Sequence, residues 1–255
     1  MTIGTSKPGL QELQAVKHYF IDDFPVTAAL TAADYESLAL KYLDEIFAAH
    51  NTAVVCGGTG LYIKALCEGL DDMPATDAAI TTQVTQEYEL KGLAWLQQSV
   101  QQEDPVFYDT AEVSNPARLI RALSFKRSTG SSISQYHTQT TKQRPFRIVK
   151  VGLELPRPLL YQRINHRVDK MMLQGLLAEV EQLLPYKELK NLQTVGYAEL
   201  FDFLDGKCTL PEAVDKIKQH TRNYAKRQVT WFRKDKEMNW FAADDTALIE
   251  KILRL

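Results

Sequence analysis

A run of strand length that ends in a glycine turn and reopens as a helix constrains this chain more than any other feature. Thr52-Ala53-Val54-Val55-Cys56 is the apolar run and Gly57-Gly58-Thr59-Gly60 the turn. Leu61 to Glu68 is the helix, closed by Gly69 where a left-handed cap belongs. Strand, glycine turn and helix make one half of a parallel α/β unit. Glycines at such a turn let the backbone approach a ligand, and the helix start offers free N–H groups to an anion or carbonyl. Thr59 would add a hydroxyl at the carboxyl end of the strand. A plain tight turn explains the glycines equally well. The loop is not a Walker A sequence, because G-x-x-x-x-G-K-[ST] occurs nowhere in the chain.

The rest of the pattern is mostly helical. Ala28 to His50 reads as a helix with Tyr35, Leu38, Leu40, Leu43 and Ile46 inward and Asp34, Glu36 and Asp44 outward. Pro74 to Thr141 is Gln- and Thr-rich, helical by pattern and without a convincing strand, as expected of an inserted module. Arg147 to Leu153 alternates and is the second strand candidate. Leu159 to Leu184 reads as one long amphipathic helix buried along Leu160, Ile164, Val168, Met171, Met172, Leu176 and Val180. Thr209-Leu210-Pro211-Glu212 has capping-box spacing and opens a helix to about Phe232.

Composition sets limits. At 255 residues, 45% hydrophobic and 24% charged, the chain can fold as one large domain or a core with a smaller one. There is no apolar run of about 18 residues for a membrane span, and the first residues do not read as a signal peptide. Cys56, Cys67 and Cys208 form no C-x-x-C pair, so reduced thiols in a cytosolic protein are expected. Five histidines, none at zinc-ligand spacing, leave no metal site to name.

The net charge of −2 hides an asymmetry. Lys216, Lys218, Arg222, Lys226, Arg227, Arg233, Lys234 and Lys236 face one acid, Asp235, so this stretch carries +7 and the remainder −9. A basic element on an acidic body is the footprint of a polyanion partner, although a solvated helix face gives the same pattern. Lys218, Arg222 and Lys226 form a stripe that could track phosphates, with Val214, Ile217, Tyr224 and Trp231 expected in the core. Two arginine pairs add to this. Arg118 and Arg121 follow the helix-opening Asn115-Pro116, and Arg163 and Arg167 lie opposite Ile164 and Val168. Each pair could hold phosphates, and each could equally be idle or bridged to acids such as Asp169.

Together, in this order, the blocks resemble the tRNA dimethylallyltransferase (isopentenyl-diphosphate:tRNA transferase) family. They are Ile3-Gly4-Thr5-Ser6-Lys7-Pro8, His18 to Asp22, Gly57 to Leu66 with Glu68-Gly69-Leu70, and Asn115-Pro116 with Arg118-Leu119 and Arg121-Ala122-Leu123. Arg163-Ile164 with Arg167-Val168 and Met171 to Leu177 follow, then Gln193 to Tyr197 and Lys226 to Arg233.

The resemblance implies transfer of a dimethylallyl group from its diphosphate to N6 of the adenosine 3′-adjacent to the anticodon. It also implies Mg²⁺, ATP-type nucleotide binding, a cytoplasmic monomer and no membrane partner. Thr59, Arg118 and Arg167 are implied near the reacting centre. Contacts to the tRNA anticodon stem-loop are implied for Thr59, Ala117, Arg118, Leu119, Ile120, Arg121, Thr194, Val195, Gly196, Tyr197, Lys226, Arg227, Gln228, Trp231 and Arg233. Arg163 and Arg167 are implied for the diphosphate. The implied fold is α/β, a P-loop nucleotide-kinase-like parallel sheet flanked by helices. Residues 1–75 and 143–255 would form the core with its C-terminal basic helix, and 76–142 an all-helical insertion on the tRNA.

The family pattern carries a strand, a P-loop and an aspartate proposed as the general base ahead of the Ile-Gly-Thr block. The first strand and P-loop are therefore expected to be missing here, roughly 45–50 residues, and this chain alone is expected not to catalyse the transfer. Alternatives are a non-catalytic tRNA-binding remnant and a small-molecule adenylate prenyltransferase. A basic stripe of this length argues against the second.

Overall fold

The computed structural model describes residues 1–5, 7–138 and 140–255. They form two compact units, Met1–Cys67 with Pro145–Leu255, and Glu68–Arg144. In chain order the elements are α1 (Leu10–Ala15), α2 (Ala32–Phe47), α3 (Gly60–Glu68), α4 (Ala78–Glu103), α5 (Pro105–Tyr108), α6 (Pro116–Thr129), β1 (Val151–Glu154), α7 (Arg157–Leu173), α8 (Leu176–Gln182), α9 (Ala198–Leu204), α10 (Leu210–Phe232), β2 (Asn239–Ala242) and α11 (Leu248–Leu253). No helix among the described residues is long and apolar enough to cross a membrane.

In the first unit, Thr31 opens α2. Its backbone N–H donates to Asp34 at 2.9 Å and its hydroxyl accepts from the Asp34 amide at 3.1 Å. Ala39 and Leu43 of α2 bury against Leu66 of α3. Tyr35 stacks on Tyr62 with centroids 4.6 Å apart, and the Tyr62 hydroxyl donates to the Leu30 carbonyl. Glu36, expected on the outer face, is instead buried at 8% exposure. The turn that sends Ala39 and Leu43 inward also carries position 36 to their side of the helix.

The long helix expected from 159 to 184 is two helices. Gly175, at φ +95°, adopts a left-handed conformation that separates α7 from α8. The break lets Val168 of α7 and Leu176 and Val180 of α8 share one core with Leu200 of α9 and Ile217 of α10. The capping box opens α10 as its spacing predicts. The Thr209 N–H and hydroxyl both donate to Glu212, each at 2.8 Å.

The strand expected at Thr52–Cys56 does not form. Val54 is 83% and Val55 47% exposed, and no backbone ladder runs beside them among the described residues. An apolar run becomes a strand only where a partner takes its N–H and C=O groups. The second candidate does pair, but only over Val151–Glu154, with Arg147 to Lys150 outside the strand. Its partner is β2, which the periodicity did not reveal. The two strands are parallel, with Val151 opposite Asn239 and Glu154 opposite Ala242. Gly152 is required there, since a Cβ would sit 2.7 Å from the Trp240 ring. The architecture is thus helix-rich with one small parallel sheet.

The second unit contains only helices and turns among its described residues. Val84, Leu96 and Val100 of α4 pack on Leu119 and Leu123 of α6. Gly92, at φ 78° and ψ −176°, interrupts α4. Arg127 of α6 spans the interruption. Its Nη1 donates to Glu87 at 3.0 Å before the break and its Nη2 to Glu103 at 2.7 Å after it. Asn115 caps α6 by accepting from the Arg118 amide at 3.3 Å, Pro116 occupies the first turn, and Gly130 closes the helix at φ +76°.

Candidate functional site

The glycine turn is shaped by its neighbour on α10. Thr59 is exposed, and its carbonyl accepts from the amides of Tyr62 at 2.9 Å and Ile63 at 3.1 Å, which starts α3. Behind it, the Gln228 side-chain amide donates to the Gly58 carbonyl at 2.9 Å. The Trp231 indole lies against Gly60. A Cβ at Gly60 would fall 2.3 Å from the Trp231 Nε1, and one at Gly58 only 1.9 Å from the Gln228 Nε2. The two glycines therefore admit side chains of α10, a role that their spacing alone did not distinguish from a ligand cradle or a simple turn.

The basic helix divides into two parts. Its amino-terminal half is packed, with Ala213 and Ile217 buried. Two members of the expected phosphate stripe turn onto α7. The Lys218 ammonium pairs with Asp169 at 2.6 Å, and Arg222 donates to Asn165 at 2.6 Å with its guanidinium 5.9 Å from the Tyr161 ring centre. That part of the stripe is a helix–helix seam, because Tyr161, Asn165 and Asp169 recur every four residues along α7. The carboxyl-terminal half behaves differently. Lys226 and Arg227 are exposed, and so are Tyr224 and Trp231, at 40% and 44%, where core positions were expected. The Arg227 guanidinium lies 5.7 Å from the Tyr224 ring centre there. Arg233 pairs with Glu154 at 3.1 Å. On α7, Arg163 and Arg167 are exposed opposite buried Ile164 and Val168, and Asp169 pairs with Lys218.

The Thr194–Tyr197 block is only partly a surface. Tyr197 is fully buried and its hydroxyl donates to Glu179 at 2.6 Å. Glu179 also accepts from the amides of Thr2 at 2.7 Å, Ile3 at 3.0 Å and Gly4 at 3.4 Å. Burial opposes the charge on Glu179, but the Tyr197 hydroxyl and these amides outweigh it and hold the carboxyl below its usual range. Burial, and then Glu179, push the Tyr197 hydroxyl upward. A Cβ on Gly4 would meet the Tyr197 ring at 2.5 Å, so the Ile3-Gly4-Thr5 block is fixed by packing; Ser6 lies outside the described residues. Gly196 is buried at φ +98° and donates to Glu199 at 2.7 Å, and Glu199 in turn meets His220 Nδ1 at 2.5 Å. Gly196 and Tyr197, both expected to contact tRNA, are thus buried. Thr194 and Val195 line an open cleft of about 480 Å³ with Lys216 and His220.

In the second unit, Ala117, Arg118 and Arg121 are exposed on α6. Arg118 lies 3.9 Å from Glu112 and Arg121 3.9 Å from the Met73 sulfur. Leu119, expected to contact RNA, is fully buried in that unit's core, and Ile120 is half-buried against it. Magnesium needs several oxygen ligands converging on one point. Among the described residues no three His, Cys, Asp or Glu side chains gather in that way, and magnesium commonly takes only one or two carboxylates, with waters and substrate phosphates completing its shell.

The IPP transferase family model matches residues 1–235. The tRNA dimethylallyltransferase of Christiangramia forsetii is 46% identical over 97% of this chain and 82% of its own length. The tRNA dimethylallyltransferase 1 of Bacteroides thetaiotaomicron is 42% identical over 100% of the chain and 83% of its own length. Among solved structures, the full-length tRNA isopentenylpyrophosphate transferase of Bacillus halodurans superposes with a TM-score of 0.68 at 32% identity, covering 99% of this chain and 80% of that one. A eukaryotic dimethylallyltransferase acting on tRNA shares the fold with a TM-score of 0.78 at 22% identity, over 99% of this chain and 66% of its own. With a family model over most of its length and relatives above 40% identity, this chain belongs to the IPP transferase family.

Proposed function

We propose that this chain serves the transfer of a dimethylallyl group from dimethylallyl diphosphate to N6 of the adenosine beside the anticodon of tRNA. The allylic carbon–oxygen bond breaks and its electron pair leaves with the diphosphate. The carbon–nitrogen bond forms, and the amine gives up a proton. One observation carries the reading. The exposed Thr59 turn is held from behind by Gln228 and Trp231, on the same helix end that exposes Lys226 and Arg227. A nucleobase extruded from its stack needs a polar group at that kind of turn, and its flanking phosphates need cations.

Arg163 and Arg167 are assigned to the leaving diphosphate, whose charge grows as the bond breaks; the 255 residues hold no G-x-x-x-x-G-K-[ST] loop to share that task. Arg118 and Arg121, with Ala117, are assigned to the tRNA, and the helical segment 76–142 to its anticodon arm. Thr194 and Val195 are assigned to the same partner through the cleft they line. The reading extends to a nucleotide-kinase-like α/β core and a cytoplasmic monomer. No step is assigned to magnesium.

The test is binding of an anticodon stem-loop RNA over a range of salt. The slope of log affinity against log salt should be clearly negative, and Lys226→Ala or Arg227→Ala should each flatten it by about 0.7 to 0.9. A slope near zero removes tRNA as the partner and favours a mononucleotide acceptor. Binding without transfer from labelled dimethylallyl diphosphate would make the chain a tRNA-binding remnant.

A further inference from the structure

We infer that Gln228 is a positioning residue, which acts on the substrate adenosine only through the Gly58 carbonyl and the Thr59 turn that follows it. The inference rests on the reading above, in which Thr59 lies beside that base.

The segment leading into the turn is anchored at Ala53, which packs on the core of Ala39, Leu43 and Leu66. Thr52 to Gly57 make no backbone ladder among the described residues, and Val54 and Val55 are largely exposed. At the turn itself the contacts from α10 are the Gln228–Gly58 hydrogen bond at 2.9 Å and the Trp231 ring on Gly60. Positions 228 and 231 are three apart, so both side chains leave one face of α10. Lys226 and Arg227, in the same turn, are exposed. One rigid helix end thus presents cations on one side and sets a hydroxyl-bearing turn on the other.

The close approach is specific. The Gln228 amide occupies the space a Gly58 side chain would take, with 1.9 Å between its nitrogen and a Gly58 Cβ. Gln228 is only partly exposed, and an N–H of its side-chain amide donates to the Gly58 carbonyl. A side chain bonded in that way fixes the geometry of the turn. Misplacing a reacting group by about 1 Å can cost on the order of a hundredfold in rate.

Three variants test this: Gln228→Met, which keeps length and packing but lacks the donor, Gly58→Ala, and the two combined. The first readout needs no substrate. Amide hydrogen exchange at Tyr62 and Ile63, whose N–H groups bond the Thr59 carbonyl, should quicken in Gln228→Met. The second uses stem-loop RNA with 2-aminopurine at the target adenosine, whose fluorescence rises on extrusion. Its rise at saturation should fall at least about twofold while the binding midpoint moves by less than about twofold, and the double variant should be no worse than the worse single one. A midpoint shift in Gln228→Met with unchanged exchange would mean that Gln228 contacts RNA itself, which overturns the inference. Unchanged exchange together with an unchanged rise overturns it too. Quickened exchange in a chain that does not bind the RNA supports the Gln228–turn coupling and overturns the functional reading alone.

Discussion

Replacing Tyr197 by phenylalanine deletes one hydroxyl from a fully buried ring and leaves the shape of its surroundings intact. That hydroxyl donates to Glu179 at 2.6 Å, and Glu179 keeps its bonds to the Thr2 and Ile3 amides at 2.7 and 3.0 Å. A hydrogen bond to a charged group contributes about 1.5–3 kcal/mol. Glu179 retains some solvent, which can replace part of the loss, so about 1–2 kcal/mol is expected. For a chain of this size that lowers Tm by roughly 2–8 °C. The pH dependence fixes the cause. The folded Glu179 has a lowered pKa, so its contribution is complete above the ordinary glutamate value of about 4.3 and is lost as pH falls through the folded value. Wild type and Tyr197→Phe should therefore differ most at neutral pH and converge in acid. Calorimetric melts at several pH values read both. A neutral-pH difference under about 1 °C, or one that persists below the lowered carboxylate range, refutes the account.

Two further outcomes concern the second unit. Gly92→Ala puts a side chain at φ 78° and ψ −176°, a region that is essentially glycine-only, with no atom within 4 Å of the new Cβ. Backbone strain alone should lower the urea midpoint by the equivalent of about 1–3 kcal/mol. A rise, as alanine's helix propensity predicts, would mean that α4 is unbroken. Arg127→Lys keeps the charge but loses the fork that reaches Glu103 and Glu87 across the break. A loss of about 1 kcal/mol is expected after solvent screening, read by urea unfolding, and a neutral result would show that the clasp is idle.

Chemistry carried by type and spacing was legible before any coordinates. The Thr209 and Asn115 caps, the Gly69 stop and the ordered arginine and glycine blocks are local matters. Each depends on a few neighbouring residues obeying backbone geometry. The family resemblance rested on the order of those blocks, and the relatives bear it out. Strands were less legible, because a strand is defined by its partner. Thr52–Cys56 has the composition but no strand partner among the described residues, whereas Asn239–Ala242 has a weak pattern and pairs with β1 from some 90 residues away.

What the sequence determined by itself was the kind of work: a cation-rich helix end, a glycine turn bearing Thr59, and arginine pairs suited to phosphates. What only the tertiary structure decided was which of those groups remain available. Lys218 and Arg222 went to α7, Tyr197 to Glu179, and Gln228 to the Gly58 carbonyl, while Lys226, Arg227 and Thr59 stayed on the surface. Periodicity fixes which residues share a helix face. Which face is then covered depends on partners far along the chain, and their positions follow only from packing.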